Sequence, residues 1–334
     1  MSGARVLVVN AGSTSLKLSV VDDVDRTEPV GSLEDAPRDV VAVAHRVVHG
    51  GPLRDPAPID DALEARLREL VALAPLHNAP AVAAIADARR ALPDVPHIAV
   101  FDTSFHATIP EVAATYALPA RWRSEIRRYG FHGLSVQWSS EQVRVPRLVV
   151  CHLGGGCSVT AVLDGRSVDT TMGFTPLEGV PMATRPGSVD PGALLHLLRE
   201  GVPHDELDEA IEHESGLLGL SGISGDVEEL ERSPEPAAAF ALDVFAYRVA
   251  GAVAAMSVAL GGLDALVFTA GIGEHSERVR GEVCARLGFL GVELDDAANE
   301  RHGPELGAGP VRVVVVEARE DVVAARAARG MFAS

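Results

Sequence analysis

The run Asn10-Ala11-Gly12-Ser13-Thr14-Ser15-Leu16-Lys17 gathers an amide, hydroxyls, a glycine and an ammonium into one short stretch. Hydroxyls and backbone N–H groups in a Gly-containing turn can cradle an anion, and a lysine can neutralise it as a point charge. The lysine stands out because the chain has 28 arginines and a single lysine, Lys17. Where arginine serves as the ordinary surface cation, one compact ammonium points to a position a forked guanidinium does not suit. A chance leftover in an arginine-biased chain is the bland alternative. Five further runs place polar side chains in apolar or Gly-rich settings: His45-Arg46-Val47-Val48-His49-Gly50-Gly51, Ala74-Pro75-Leu76-His77-Asn78, Val100-Phe101-Asp102-Thr103-Ser104-Phe105-His106, Tyr129-Gly130-Phe131-His132-Gly133 and Met182-Ala183-Thr184-Arg185-Pro186. Taken singly, each reads more simply as structure: Arg46 as half of an ion pair, His132 as a hydrogen-bonded core histidine. Asp102, directly after a strand-like run, is the exception, because carboxylates there often hold metals in α/β enzymes. Together, two arginines, a glycine-flanked histidine and an acid beside an anion loop are the parts that phosphoryl transfer requires.

These groups need elements to hold them. Residues 5–9 read as a buried strand, and Leu16, Leu18, Val20 and Val21 alternate as a second strand ended by Asp22-Asp23. The same script returns at 147–165: a strand from Arg147, the turn Cys151-His152-Leu153-Gly154-Gly155-Gly156-Cys157-Ser158, and a strand from Val159 closed by the hairpin signal Asp164-Gly165. Duplication and coincidence are both open from pattern alone. A third strand, Ala265–Thr269, runs into the turn Ala270–His275, which lacks the third glycine of a dinucleotide fingerprint, and a charged helix follows from Ser276 to Leu287. Helical patterns cover 60–73, 80–91, 191–200, 236–260 and 320–330, with a last strand at 311–316. Strands alternating with helices, together with strand hairpins, indicate an α/β fold with mixed sheets rather than a barrel.

A chain of 334 residues suits two domains or one large α/β unit, and 47% hydrophobic with 23% charged residues is a globular composition. A formal net charge of -18 excludes a general nucleic-acid binder, so any phosphate site is local, built from a few placed cations and backbone amides. Cys151, Cys157 and Cys284 are too few for a disulfide framework and poorly spaced for zinc, and read as buried thiols in a reducing cytosol. No signal segment or bilayer-spanning run is expected, which makes the cytoplasm the default location and gives no membrane partner.

The ordered set of these runs, with Cys-His-Leu-Gly-Gly-Gly, Met-Gly-Phe-Thr-Pro-Leu-Glu-Gly and Phe-Thr-Ala-Gly-Ile-Gly-Glu, resembles the acetate kinase family from Val6 to about Ala325. The resemblance implies duplicated ribonuclease-H-like domains with mixed sheets flanked by helices and a cleft between them. The first domain would take 1–107 plus 322–334, the second 108–321, the latter carrying the nucleotide and the contact of a homodimer. It implies reversible transfer from ATP to acetate, giving acetyl phosphate and ADP, with Mg²⁺ or Mn²⁺. Position by position, Arg46 would hold the acetate carboxylate in a pocket of Val48, Leu76, Phe131 and Pro176. Arg185 and His132 would stabilise the transferring phosphoryl group, with Asp102 the catalytic acid. Asn10 and Glu320 would lie near the metal. Ser13, Ser15 and Lys17 would face the terminal phosphates, and His152, Leu153, Gly154, Gly155 and Gly156 would form the second phosphate loop. Asp226, Val227 and Glu228, together with Gly271, Ile272, Gly273, Glu274 and His275, would stand on the nucleoside side. A carboxylate acceptor is already ionised at neutral pH, so Asp102 is expected to act through the metal and positioning rather than as a base.

The departures cluster on the nucleotide side. Gly155 replaces the asparagine of His-Leu-Gly-Asn-Gly, Glu228 replaces an arginine, His275 replaces an asparagine, and Ala318-Arg319-Glu320 stands for Thr-Asn-Glu. These changes point to weaker ATP binding or to another donor, such as another nucleotide or pyrophosphate. Propionate or butyrate as acceptor is the near alternative, since one methylene in an apolar pocket is worth only about 1–3 kcal/mol. A nucleotide sensor without phosphoryl transfer is the alternative of another class.

Overall fold

The computed structural model describes residues 4–11, 16–73 and 75–332, with backbone alone at 72, 73 and 75–77. The chain forms two compact units: Met1–Ala107 with Phe131–Trp138 and Arg319–Ser334, and Thr108–Gly130 with Ser139–Ala318. The division differs from the sequence expectation in that Phe131–Trp138 joins the first unit, which also resumes at Arg319.

The first unit holds β1 (Val6–Ala11), β2 (Leu16–Val21), β3 (Thr27–Val30), β4 (Ala42–Val47), β5 (Ala57–Pro58) and β6 (His97–Phe101) in one sheet of order β3-β2-β1-β4-β6-β5. The second holds β7 (Arg147–Leu153), β8 (Cys157–Leu163), β9 (Arg166–Thr170), β10 (Ala265–Thr269) and β11 (Arg312–Val315) in the order β11-β10-β7-β8-β9. Read from the other edge, the second order is β9-β8-β7-β10-β11, which matches β3-β2-β1-β4-β6 strand for strand. The strand directions match as well. β1–β2 and β2–β3 are antiparallel while β1–β4 and β4–β6 are parallel. β7–β8 and β8–β9 are antiparallel while β7–β10 and β10–β11 are parallel. The chain is therefore a duplicated ribonuclease-H-like α/β fold.

Each sheet is covered on both faces, which is why its central strands are continuous aliphatic runs. Val6 and Val8 of β1 pack with Val322, Val323 and Ala325 of the helix Glu320–Gly330. Leu7 and Val9 face the other way, onto Ala81, Ala84 and Ala88 of the helix Pro75–Ala91. In the second unit the helix Pro236–Leu260 lies along β7, β8 and β9, burying Leu242, Phe245, Val249 and Val253. The Asp164-Gly165 hairpin forms with both residues at positive φ, 48° and 77°, as the tight two-residue turn requires. Two expectations are corrected. β7 and β8 run further than their pattern suggested, so the turn at 151–158 shrinks to Gly154–Gly156; Cys151, His152 and Leu153 can still pair across the ladder. Ala270–His275 is a helical turn, which Ser276 separates from the helix Glu277–Ala285 by capping the latter through Val279 N–H.

Candidate active site

In the first unit the sheet register assembles the site. Asn10 on β1 pairs with Lys17 on β2 and with Arg46 on β4, so the three stand in one row on one face of the sheet. β6 ends at Phe101, and Asp102 follows at once, its N–H donating to Val47 O at 3.0 Å. The Asp102 carboxylate is fully buried and accepts a fork from Arg46: Nε to Oδ1 at 2.9 Å and Nη2 to Oδ2 at 2.6 Å. Nη1 of the same guanidinium reaches Asn10 Oδ1 at 3.2 Å and Glu320 Oε2 at 2.9 Å. Burial alone would lower the Arg46 pKa, but Asp102 and Glu320 outweigh it and hold the guanidinium above its ordinary value. One cation thus organises two carboxylates and an amide at the carboxyl ends of parallel strands, where α/β sheets place their ligand sites. Lys17 is exposed at the base of the hairpin. Ser13 and Ser15 lie outside the described residues, as does the side chain of Leu76.

The polar and Gly-rich runs around this cluster supply its support. Gly133 N–H donates to Asp102 O at 2.9 Å, and a Cβ at Gly133 would lie 2.1 Å from that oxygen, so only glycine permits the approach. His132, just before it, takes a left-handed φ of 59°, a conformation costly for a side chain with a Cβ. His106 is buried against the preceding residue, its Nε2 bonding Phe131 O at 2.8 Å, and burial pushes its pKa down to about 4. Buried Asn78 holds the His49 backbone on both sides: Oδ1 accepts from its N–H and Nδ2 donates to its carbonyl, each at 3.0 Å. Val48 and Phe131 are buried, Phe131 meeting the His49 ring edge-on at 5.3 Å.

In the second unit Arg185 lies in the turn after Met182 and is almost wholly buried, its Nη1 donating to Pro176 O at 2.8 Å. Burial lowers its pKa, with Glu212 opposing. Gly216, at φ 62°, lets the helix Gly216–Ser221 abut this turn; a Cβ there would meet Met182 O at 2.2 Å. The segment carrying Pro176 is anchored by Glu178, which accepts from Tyr116 and, at 2.9 Å, from Arg128 Nη2. Arg128 Nη1 also caps the carbonyls of Thr170, Thr171 and Met172.

A cavity of about 1000 Å³ opens in the same unit beside the glycine turn. Gly154 and Gly155 line it, and the turn is pinned from Ala183, whose N–H donates to Gly155 O at 3.2 Å. Asp226, Val227 and Glu228 form a second wall, with Asp226 capping its helix through Glu228 and Glu229 N–H. Gly271, Ile272 and His275 form a third. Glu228 is paired with Arg232 four residues on, so the acid is not left as an open charge. The structure does not bring every expected residue here. His152 and Leu153 are buried in β7, Gly156 falls outside the lining, and Gly273 is buried against Phe268. Glu274 turns to accept from Ala318 N–H at 3.0 Å. Missing from the sequence reading were Glu231, Ser276, Glu277 and His302, which also line the cavity. His302 sits in a polar loop with no motif around it, so the sequence carries no signal for it.

Cys151, Cys157 and Cys284 are free and buried, and burial pushes Cys157 and Cys284 up to about 12. Among the described residues no three His, Cys, Asp or Glu side chains gather to hold a metal, while Asn10 and Glu320 bring their oxygens to the same guanidinium nitrogen.

Two copies of one α/β unit, one with a carboxylate–arginine cluster at its strand ends and the other with a glycine turn beside a large cavity, define a phosphotransferase. Residues 31–326 match the model of the Acetokinase family, and the chain belongs to that family, whose acceptor is a carboxyl group. It is 45% identical to an acetate kinase of a Synechococcus species over 90% of this chain and 79% of the relative. Among solved structures, a propionate kinase from Francisella tularensis superposes with TM-score 0.92 at 31% identity, covering 99% of this chain and all of that one. An acetate kinase from Porphyromonas gingivalis superposes with TM-score 0.85 at 30% identity, covering 98% of this chain and all of that one.

Proposed function

We propose that this chain is an acetate kinase, transferring the terminal phosphoryl group of ATP to acetate to give acetyl phosphate and ADP, reversibly. The observation that carries the reading is the Lys17–Asn10–Arg46 row closed by Asp102 and Glu320. Arg46 commits Nε and one Nη2 hydrogen to Asp102, and Nη1 to Asn10 and Glu320, which leaves one Nη2 hydrogen for an acetate oxygen. Both Asp102 oxygens accept from that guanidinium, which suits a reaction whose nucleophile is already ionised and needs no base. Arg185 and His132 are assigned to the charge that spreads over the transferring phosphoryl group, and Lys17 with the glycine turn to the donor's phosphates. Asn10 Oδ1 and the Glu320 carboxylate both lie on Arg46 Nη1, so their oxygens stand close together. As hard oxygen donors they fit Mg²⁺ or Mn²⁺ that keeps part of its water. When bound, such an ion supplies neutralisation of the phosphate oxygens.

A nucleoside triphosphate suits the donor side better than pyrophosphate, because pyrophosphate would leave most of the cavity of about 1000 Å³ unfilled. A homodimer is supported by an apolar stripe on the helix Pro236–Leu260, where Phe240, Tyr247 and Val258 are 60%, 64% and 82% exposed. Three buried free thiols suit a reducing cytoplasm. The test is acetyl phosphate formation from acetate, propionate and butyrate with ATP, GTP and pyrophosphate, in wild type and Asp102→Ala. Acetate with ATP should give the highest kcat/KM, and the variant should lose it. A folded variant with retained activity would remove Asp102 from the site, and nucleotide binding without turnover in wild type would favour a sensor.

A further inference from the structure

Arg280 is the largest fully buried side chain, and its guanidinium is held by oxygens and one histidine nitrogen. Nε donates to Asn299 Oδ1 at 2.7 Å, and Nη1 to the carbonyls of Gly273 and Glu274 at 3.0 and 2.8 Å. Nη2 donates to Asn299 O at 3.2 Å and to His302 Nδ1 at 3.1 Å. A guanidinium has no acceptor, so Nδ1 of His302 must accept, and the neutral ring carries its proton on Nε2. That Nε2 lies 4.0 Å from Glu277 Oε2, too far for a hydrogen bond between them. A fixed donor and a carboxylate acceptor therefore stand side by side, and both line the cavity next to the glycine turn. His302 occupies a left-handed φ of 49° just past the helix Asp296–Glu300, a position normally left to glycine. A histidine held there against its backbone preference, and locked in one tautomer from behind, has its ring presented for use.

We propose that His302 Nε2–H and the Glu277 carboxylate read the edge of the donor's nucleobase, His302 donating to a ring acceptor and Glu277 accepting from the adjacent N–H. Arg280 is the positioning residue behind them. The inference rests on the cavity being the donor site, and it names the part of the donor that the site recognises: the base, not the phosphates. It explains how a chain lacking the family's arginine at position 228 can still take a nucleotide.

The experiment is calorimetric titration of ADP, GDP and pyrophosphate into the full chain, as wild type, His302→Ala, His302→Gln and Glu277→Gln, with KM for ATP and for acetate measured alongside. His302→Ala should weaken ADP about tenfold and raise KM for ATP by the same factor, leaving pyrophosphate affinity and KM for acetate as they were. His302→Gln, which can keep a donor near Nε2, should recover most of the loss. Glu277→Gln alters an exposed side chain, so it reports the same contact in a protein that folds normally. Equal ADP affinity in wild type, His302→Ala and Glu277→Gln would overturn the proposal, as would parallel losses for ADP and pyrophosphate. Absence of ADP binding in wild type would instead overturn the donor-site reading beneath it. The ADP-to-GDP ratio, if changed by either variant, supports base reading and tells which edge is used.

Discussion

The two units share one strand plan and use it in opposite ways. In the first, the row across β2, β1 and β4 reads Lys17, Asn10, Arg46: two cations and an amide, partly open. In the second, the corresponding row across β8, β7 and β10 reads Ser158, His152, Thr269, all buried. The first unit therefore presents charged side chains at its strand ends. The second keeps those ends closed and offers the backbone of a glycine turn and the wall of a cavity. Duplication supplies the geometry twice, and a few residue types at one row decide which copy carries charge.

The comparison breaks most visibly at Asp102. Asp102→Ala removes the acceptor of the Arg46 fork and leaves a largely buried guanidinium short of one counter-ion, which costs about 3–5 kcal/mol of stability. Acetyl phosphate formation should fall at least about a thousandfold, a loss of roughly 4 kcal/mol in the barrier. At the equivalent row of the second unit, Thr269→Val replaces a buried hydroxyl that has no hydrogen-bond partner among the described residues. It should change stability by less than about 1 kcal/mol and leave turnover within a few-fold. Comparable damage from both, measured by urea unfolding and the acetate assay, would show that the rows are not used differently.

A smaller effect separates the glycines. Gly133→Ala drives a Cβ to 2.1 Å from Asp102 O, a backbone atom that cannot swing away. A loss of about 3 kcal/mol is expected, at the upper end for overpacking. Gly155→Ala meets nothing within 4 Å, and should shift the urea midpoint by the equivalent of no more than about 0.5 kcal/mol. A reversal of that order would mean that the glycine turn, not the Asp102 approach, is the constrained backbone.

Much of this was legible in the sequence, and the limits have physical reasons. The continuous aliphatics of β1, β7 and β10 announce central strands because both sheet faces are covered, and Asp60, Asp190 and Ser276 mark helix starts by capping chemistry. Arg46, Asp102, Asn10 and Glu320 were identifiable through the ordered motifs, and they converge. What the motifs did not reveal is that much of their content is also scaffolding: Gly133, His106 and Asn78 hold backbone. Nor could they mark where a strand ends, because His152 and Leu153 belong to a phosphate motif and to a ladder at once. Glu277 and His302 escaped because they are brought together by Arg280, a long-range contact with no local pattern.

The first unit should also carry an acid sensitivity. His45 is fully buried, and its Nε2 meets His97 Nδ1 at 2.9 Å; His97 Nε2 in turn bonds Leu92 O, so the shared proton belongs to His45 Nε2 and its Nδ1 is left buried without a partner. Burial, with His97 and Arg89 nearby, pushes His45 down to about 3, and burial pushes His106 to about 4. Both are depressed from an unfolded value near 6.5, so above that pH neither affects stability. As pH falls below about 6.5 the unfolded chain takes up protons that the folded chain refuses, and stability drops by about 1.4 kcal/mol per pH unit for each histidine. The loss continues to about pH 4 for His106 and about pH 3 for His45. Trp138 lies in the first unit and Trp122 in the second, so Trp122→Phe gives a fluorescence reporter of the first alone. His106→Gln should flatten the pH slope of its urea midpoint by one proton; an unchanged slope would remove His106 from the linkage.

The smallest expected effect tests whether the backbone of the glycine turn suffices on its own. Gly155 has no side-chain amide to offer a phosphate, and nothing lies within 4 Å of where its Cβ would be, so Gly155→Asn has room to add one. An amide N–H to a phosphate oxygen is worth about 1 kcal/mol net, which lowers KM for ATP roughly fivefold. Acetate KM should not move, because the acetate side proposed above is built on Arg46, which lies in the other unit. If Gly155→Asn leaves KM for ATP where it was, the turn's N–H groups already saturate the phosphates. The second unit would then hold the donor's phosphates by backbone alone, in contrast to the charged side chains of the first. If instead it raises KM, the open space at Gly155 is itself part of the site, and a donor bulkier at its phosphates than ATP becomes the one to test.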